Sequence, residues 1–136
     1  MSLRIISGVV LVLLVAFGVW SGGKLSYQQY LSGEACPLLG PVPACYIAFV
    51  GYLMMAVALA TLGFGFRSLN WVFWTGLAVA GGLALLGSAF ELIRGNICPR
   101  AFGWLPMCYV SLAFSVLIGL LYASLYKTAA ISGAEV

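Results

Sequence analysis

Apolar positions run almost unbroken through four stretches of the chain: about Leu3 to Gly22, Cys45 to Phe66, Trp71 to Ile93 and Cys108 to Tyr126. Each is long enough to cross roughly 30 Å of hydrocarbon as a helix. Lipid supplies no hydrogen-bond partner, so every backbone amide must be bonded within its own segment. The four runs therefore predict helices, not open strands. Between the first and second runs, and again between the third and fourth, the pattern breaks into Pro, Gly and Cys.

Those two breaks repeat each other. Residues 26–37, SYQQYLSGEACP, lie over residues 88–99, SAFELIRGNICP. Ser26 matches Ser88, Gly33 matches Gly95, Cys36 matches Cys98 and Pro37 matches Pro99, with Gln29 opposite Glu91. After a one-residue gap, Gly40/Gly103, Pro43/Pro106, Cys45/Cys108 and Tyr46/Tyr109 coincide. Self-similarity at this period marks a duplicated structural unit and outranks local readings. The unit is helix, loop, helix, covering about 1–66 and 67–127, with a tail at 128–136.

Two crossings return the chain to its starting side. The halves are therefore expected to be parallel repeats about a pseudo-two-fold along the membrane normal, with both cysteine loops at one end. The first helix is expected to continue through Lys24 toward Ser32, because its counterpart is helical to Arg94. The N-terminal stretch, Arg4 then an apolar core then Ser21-Gly22-Gly23, imitates a secretory signal peptide. Its pairing with the third helix in the repeat predicts a retained span instead. The expected fold is an all-α polytopic membrane bundle, one domain over 1–136.

Composition agrees. The chain is 64% hydrophobic and 7% charged, against about 25% charged in soluble domains. The net charge of +3 is scattered over six basic and three acidic residues, which gives no clustered basic face for nucleic acid. Histidine and aspartate are absent, so the commonest metal ligand and general base are missing. No phosphate-binding loop or nucleophile elbow occurs. No cofactor is expected from these residues. The expected partners are the lipid bilayer and other membrane subunits.

Arg4, Arg67 and Lys127 fall on one side of the membrane, and Lys24, Arg94 and Arg100 on the other. This balance leaves the positive-inside rule undecided. Cysteine usage decides instead. Cysteines in Pro/Gly loops predict disulfides, which persist in oxidising compartments. The loops are expected to be extracytoplasmic and both termini cytoplasmic.

Four cysteines allow three pairings, and all respect the repeat symmetry. Cys36–Cys45 and Cys98–Cys108 are the expected pairs because they close short loops. Each staple contributes about 2–3 kcal/mol in the chain-entropy picture. Pro37, Pro41, Pro43, Pro99 and Pro106 disfavour helix in these loops, so a disulfide fixes what secondary structure does not. A second chemistry is open to the same residues. Cys45 and Cys108 open helices, where the helix dipole favours thiolate. A four-thiolate zinc or iron–sulfur site is a further possibility, although the usual short ligand spacing is missing.

Four helices with two cysteine pairs at one end resemble the bacterial quinone-coupled disulfide-forming membrane proteins and the related vitamin K epoxide reductases. The resemblance rests on topology and cysteine number. The family's C-x-x-C is not present, and eight and nine residues separate the cysteines here. It implies a bound quinone, with Cys45 and Cys108 beside the membrane and Cys36 and Cys98 outward.

Glu91 and Arg94, at i and i+3, are expected to form an ion pair near the outer end of the third helix. Glu34 and Glu135 lie in a loop and the tail. Gly18/Gly22 form a G-x-x-x-G, and Ala78/Gly82 and Ala84/Ser88 are small-x-x-x-small pairs. All are expected to pack helices within the bundle. Trp20, Trp71, Trp74, Tyr46 and Tyr109 fall at predicted helix ends, as in an aromatic belt. Met54 and Met55 read as packing residues. The expected function is a non-catalytic accessory or scaffold subunit of a larger membrane assembly. A quinone-linked thiol–disulfide oxidoreductase is the alternative. A small channel or carrier is third, since the helices offer few polar groups to line a path.

Overall fold

The computed structural model of the chain describes residues 2–34, 36–63, 69–98 and 100–134. Arg67, Pro99, Glu135 and the Phe66 end of the second run lie outside the described residues. The elements are α1 (Leu3–Ser32), β1 (Leu38–Leu39), β2 (Val42–Pro43), α2 (Ala44–Gly63), α3 (Asn70–Arg94), β3 (Arg100–Ala101), β4 (Leu105–Pro106) and α4 (Met107–Ala134). All four helices are long and apolar enough to cross a membrane. As expected, α1 runs on to Ser32. At the other end of the chain α4 continues to Ala134, through most of the segment read as a tail.

The main helix contacts run α1 to α2, α2 to α3, α3 to α4 and α4 back to α1. Sequence neighbours pack side by side, and α1 and α3 stand on one diagonal with α2 and α4 on the other. That is the arrangement of two parallel helix-loop-helix repeats. Both cysteine loops sit at the end where α1 and α3 finish.

Small residues set the helix separations. An added Cβ at Gly18 would overlap the Tyr52 ring, and one at Gly22 would lie 3.4 Å from Phe49. The G-x-x-x-G of α1 therefore receives two aromatic rings from α2. Between α2 and α3 the backbones themselves touch. A Cβ at Gly76 would lie 2.6 Å from the Gly51 carbonyl, and a Cβ at Gly51 would lie 2.9 Å from the Gly76 carbonyl. Ala84 and Ser88 are buried as expected.

Ala78 and Gly82 do not seal the bundle. Ala78 is exposed, and a Cβ on Gly82 would meet nothing within 4 Å. The cause is the rotation of α3. Its buried face is Phe73, Gly76, Ala80, Ala84, Ser88 and Glu91, and at about 100° per residue positions 78 and 82 fall on the opposite side.

Leu11, Val15, Tyr52, Met55, Ala58, Phe73, Ala80, Ile118 and Tyr122 form the core. Phe73 and Tyr122 stack with ring centroids 3.7 Å apart. The Tyr122 hydroxyl donates to Asn70 Oδ1 at 2.6 Å, so its polar tip is satisfied as α3 begins. Trp20, Trp71 and Trp74 are exposed, placed for lipid contact.

Candidate functional site

The cap formed by the two loops concentrates the cysteines and the buried polar side chains at one end of the bundle. Each loop folds as a short antiparallel hairpin. The first pairs Leu38 with Pro43 and Leu39 with Val42, and the second pairs Arg100 with Pro106 and Ala101 with Leu105. Pro43 and Pro106 occupy ladder positions, which proline tolerates at an edge. The disulfides are Cys36–Cys45 and Cys98–Cys108, with Cα atoms 6.0 Å and 6.1 Å apart. Each ties the loop behind one helix to the first turn of the next. With all four sulfurs bonded in pairs, the four-thiolate metal site does not form.

Each helix before a loop ends on a glycine at positive φ. Gly33 has φ 73° and Gly95 has φ 65°, a region where a side chain costs energy. The Gly33 N–H donates to the Gln29 carbonyl, and the Gly95 N–H to the Glu91 carbonyl. The two turns then diverge. Gly33 has ψ −3° and Gly95 has ψ 153°, so the following peptide is rotated by about half a turn.

This rotation explains the side chain four residues earlier. After Gly33 the carbonyl points inward, and Gln29 Nε2 donates to it at 3.0 Å. Gln29 Oε1 meanwhile accepts from the Cys36 N–H at 2.9 Å. After Gly95 the N–H groups point inward. Glu91 Oε1 accepts from Asn96 at 3.0 Å, and Oε2 accepts from Ile97 at 2.7 Å and Cys98 at 3.1 Å. An amide serves one donor and one acceptor, whereas an ionised carboxylate accepts only. Gln29 and Glu91 thus do one job, holding the amide of the first loop cysteine, by the chemistry each backbone demands.

The expected Glu91–Arg94 pair is not formed. Glu91 lies on the buried face of α3 and both its oxygens are taken by backbone N–H groups of the following loop, while Arg94 is exposed. Arg94→Ala is accordingly expected to change stability by less than about 0.5 kcal/mol, measured as the midpoint of a dodecyl sulfate titration in mixed micelles. An ion pair important to the fold would show a clear shift there.

Cys36 and Cys98 are 8% and 4% exposed, while Cys45 and Cys108 are half-buried. Ser26 and Ser88 are both buried, and Ser26 Oγ donates to the Cys45 carbonyl at 3.4 Å. Gly87 makes room for the second disulfide, since its Cβ would lie 2.8 Å from Cys108 Sγ. Among the described residues no buried side-chain nitrogen or oxygen lacks a hydrogen-bond partner.

Sequence reasoning gave Gln29 no role. The signal for it was its alignment with Glu91. Gly51 was also missed, because a single glycine in an apolar run carries no sign of which backbone it meets. Comparison of the chain with protein-family models, with curated proteins and with solved structures finds no match.

Proposed function

We propose that the protein is a non-catalytic accessory subunit of a larger membrane assembly, with its cap extracytoplasmic and both termini cytoplasmic. The observation that carries this reading is the outer face of α3. Thr75, Ala78 and Ala89 are exposed there, and Gly82 leaves open space. Small residues in lipid allow close helix approach, and among the described residues no other helix of this chain packs on that face. The cap supports the same reading, because its buried polar side chains are committed to holding the loops. A photo-crosslinking residue at Ala78 or Gly82 in native membranes is expected to capture a protein. The same probe at Leu117 or Leu120, on the lipid face of α4, is expected to capture lipid. Lipid adducts alone at all four positions would remove the reading.

The competing reading, a quinone-linked thiol oxidoreductase, needs accessible and labile disulfides. The burial of Cys36 and Cys98 weighs against it. Alkylation at a series of dithiothreitol and glutathione potentials separates the two readings. Structural staples are expected to resist reduction until below about −300 mV. A pair titrating near about −200 mV would transfer support to electron exchange.

A further inference from the structure

Contacts between helices fix the depth of the cap. Ser26 meets Cys45, and Gly87 lies against Cys108, so α2 and α4 begin at the level where α1 and α3 pass Ser26 and Ser88. From Cys45 to Gly63 is about 27 Å of helix, close to the roughly 30 Å thickness of bilayer hydrocarbon. Beyond this level α1 and α3 each continue for six residues, to Ser32 and Arg94, or about 9 Å. A headgroup layer is roughly 5–8 Å deep on each side. The extensions of α1 and α3 are therefore comparable in length to that layer.

The surface of the cap has the matching chemistry. Toward the cap end of α3, Leu85, Leu86, Phe90, Leu92 and Ile93 are all exposed. The second hairpin carries two more exposed aromatic side chains at its turn. Phe102 is 93% exposed and Trp104 72% exposed, too apolar a tip for open water. Phe102 also breaks the repeat. The first hairpin turns through residues 40 and 41, and the second through residues 102 to 104, one residue more. Phe102 sits at φ 55°, a backbone region a bulky side chain rarely enters. Exposed charges on and just below the cap are Lys24, Arg94 and Arg100 against Glu34, an excess that suits phosphate. Arg100 spends one donor on Asn96 Oδ1 of the five it carries.

We propose that the second stapled hairpin is a membrane-interface anchor, with Phe102 and Trp104 seated in the headgroup layer and Arg100 on the lipid phosphates. Aromatic and basic residues partition there because each combines an apolar body with a polar or charged tip. The disulfide holds the tip at fixed depth, and Phe102 is the residue inserted to reach the lipid. This inference does not depend on a protein partner.

The test uses the full chain in nanodiscs of phosphatidylcholine and phosphatidylglycerol. Trp20→Phe, Trp71→Phe and Trp74→Phe leave Trp104 as the only indole. Lipids carrying a nitroxide on the headgroup are expected to quench most of its emission, lipids labelled deep in the acyl chain less, and aqueous iodide little. Strong iodide quenching without lipid quenching would overturn the proposal, and so would shielding from both. Should the triple variant lose its helical signal, the emission difference between the native chain and Trp104→Phe, under the same quenchers, gives the same readout. Failure here would leave the photo-crosslinking result at Ala78 and Gly82 untouched.

Discussion

Glu91→Gln weakens the second loop, and Gln29→Glu weakens the first, although each substitution copies the residue of the other repeat. The reason is the rotated peptide after Gly95. A glutamine at 91 turns an amide group toward backbone N–H groups already directed at that site from Asn96, Ile97 and Cys98. A glutamate at 29 turns a carboxylate oxygen toward the Gly33 carbonyl now served by Gln29 Nε2. Buried groups left unmatched bear their full desolvation cost. Glu91→Leu is expected to be worse than either swap, because three N–H groups lose their acceptor together. Mass spectrometry of alkylated protein reads the effect as free thiol at Cys98 and Cys108. The expected order is Glu91→Leu, then Glu91→Gln, then the native chain, with Cys36–Cys45 unaffected throughout. Equal thiol exposure in all three would show that Glu91 does not hold the loop.

Gly76→Leu separates the two halves of the molecule. Its Cβ alone would lie 2.6 Å from the Gly51 carbonyl and 3.0 Å from Met54 Cβ. Neither neighbour gives easily, since one is backbone and the other is fixed to a helix. Overpacking in an ordinary core costs about 1–3 kcal/mol, and a clash with backbone at a helix crossing exceeds that. The expected loss is above about 4 kcal/mol, seen as failure to reach a folded state in mixed micelles at low dodecyl sulfate. Gly82→Leu, on the same helix, is expected to leave the isolated protein folded, because nothing lies within 4 Å of its Cβ. If that face docks a partner, Gly82→Leu instead lowers photo-crosslinking from Ala78. A folded Gly76→Leu protein would contradict the close contact of α2 and α3.

The contrast between Gly76 and Gly82 shows where sequence reading stops. Both lie in one apolar run, and both belong to small-residue patterns. An amphipathic soluble helix marks its inner face with apolar residues, but a membrane helix is apolar all round, so no hydrophobic period points inward. Only packing against Gly51 turned Gly76 inward and left Ala78 and Gly82 outside. The Glu91–Arg94 expectation failed for a related reason. Spacing along a helix tells which side chains can meet, not which backbone groups a loop brings down upon them.

By itself the sequence determined the four spans, the duplicated unit and the extension of α1 toward Ser32, and it favoured pairing of the cysteines within each loop. These follow from terms local in the chain: the run length needed to cross hydrocarbon, proline's lost donor, and the small entropy of closing a short loop. The rotation of α3, the half-turn of the peptide after Gly95, the use of Gln29 and Glu91 as loop anchors, and the burial of Cys36 and Cys98 were decided only by tertiary structure. Each depends on contacts between groups distant in sequence or on backbone angles a glycine leaves open, and a string of residue types records neither.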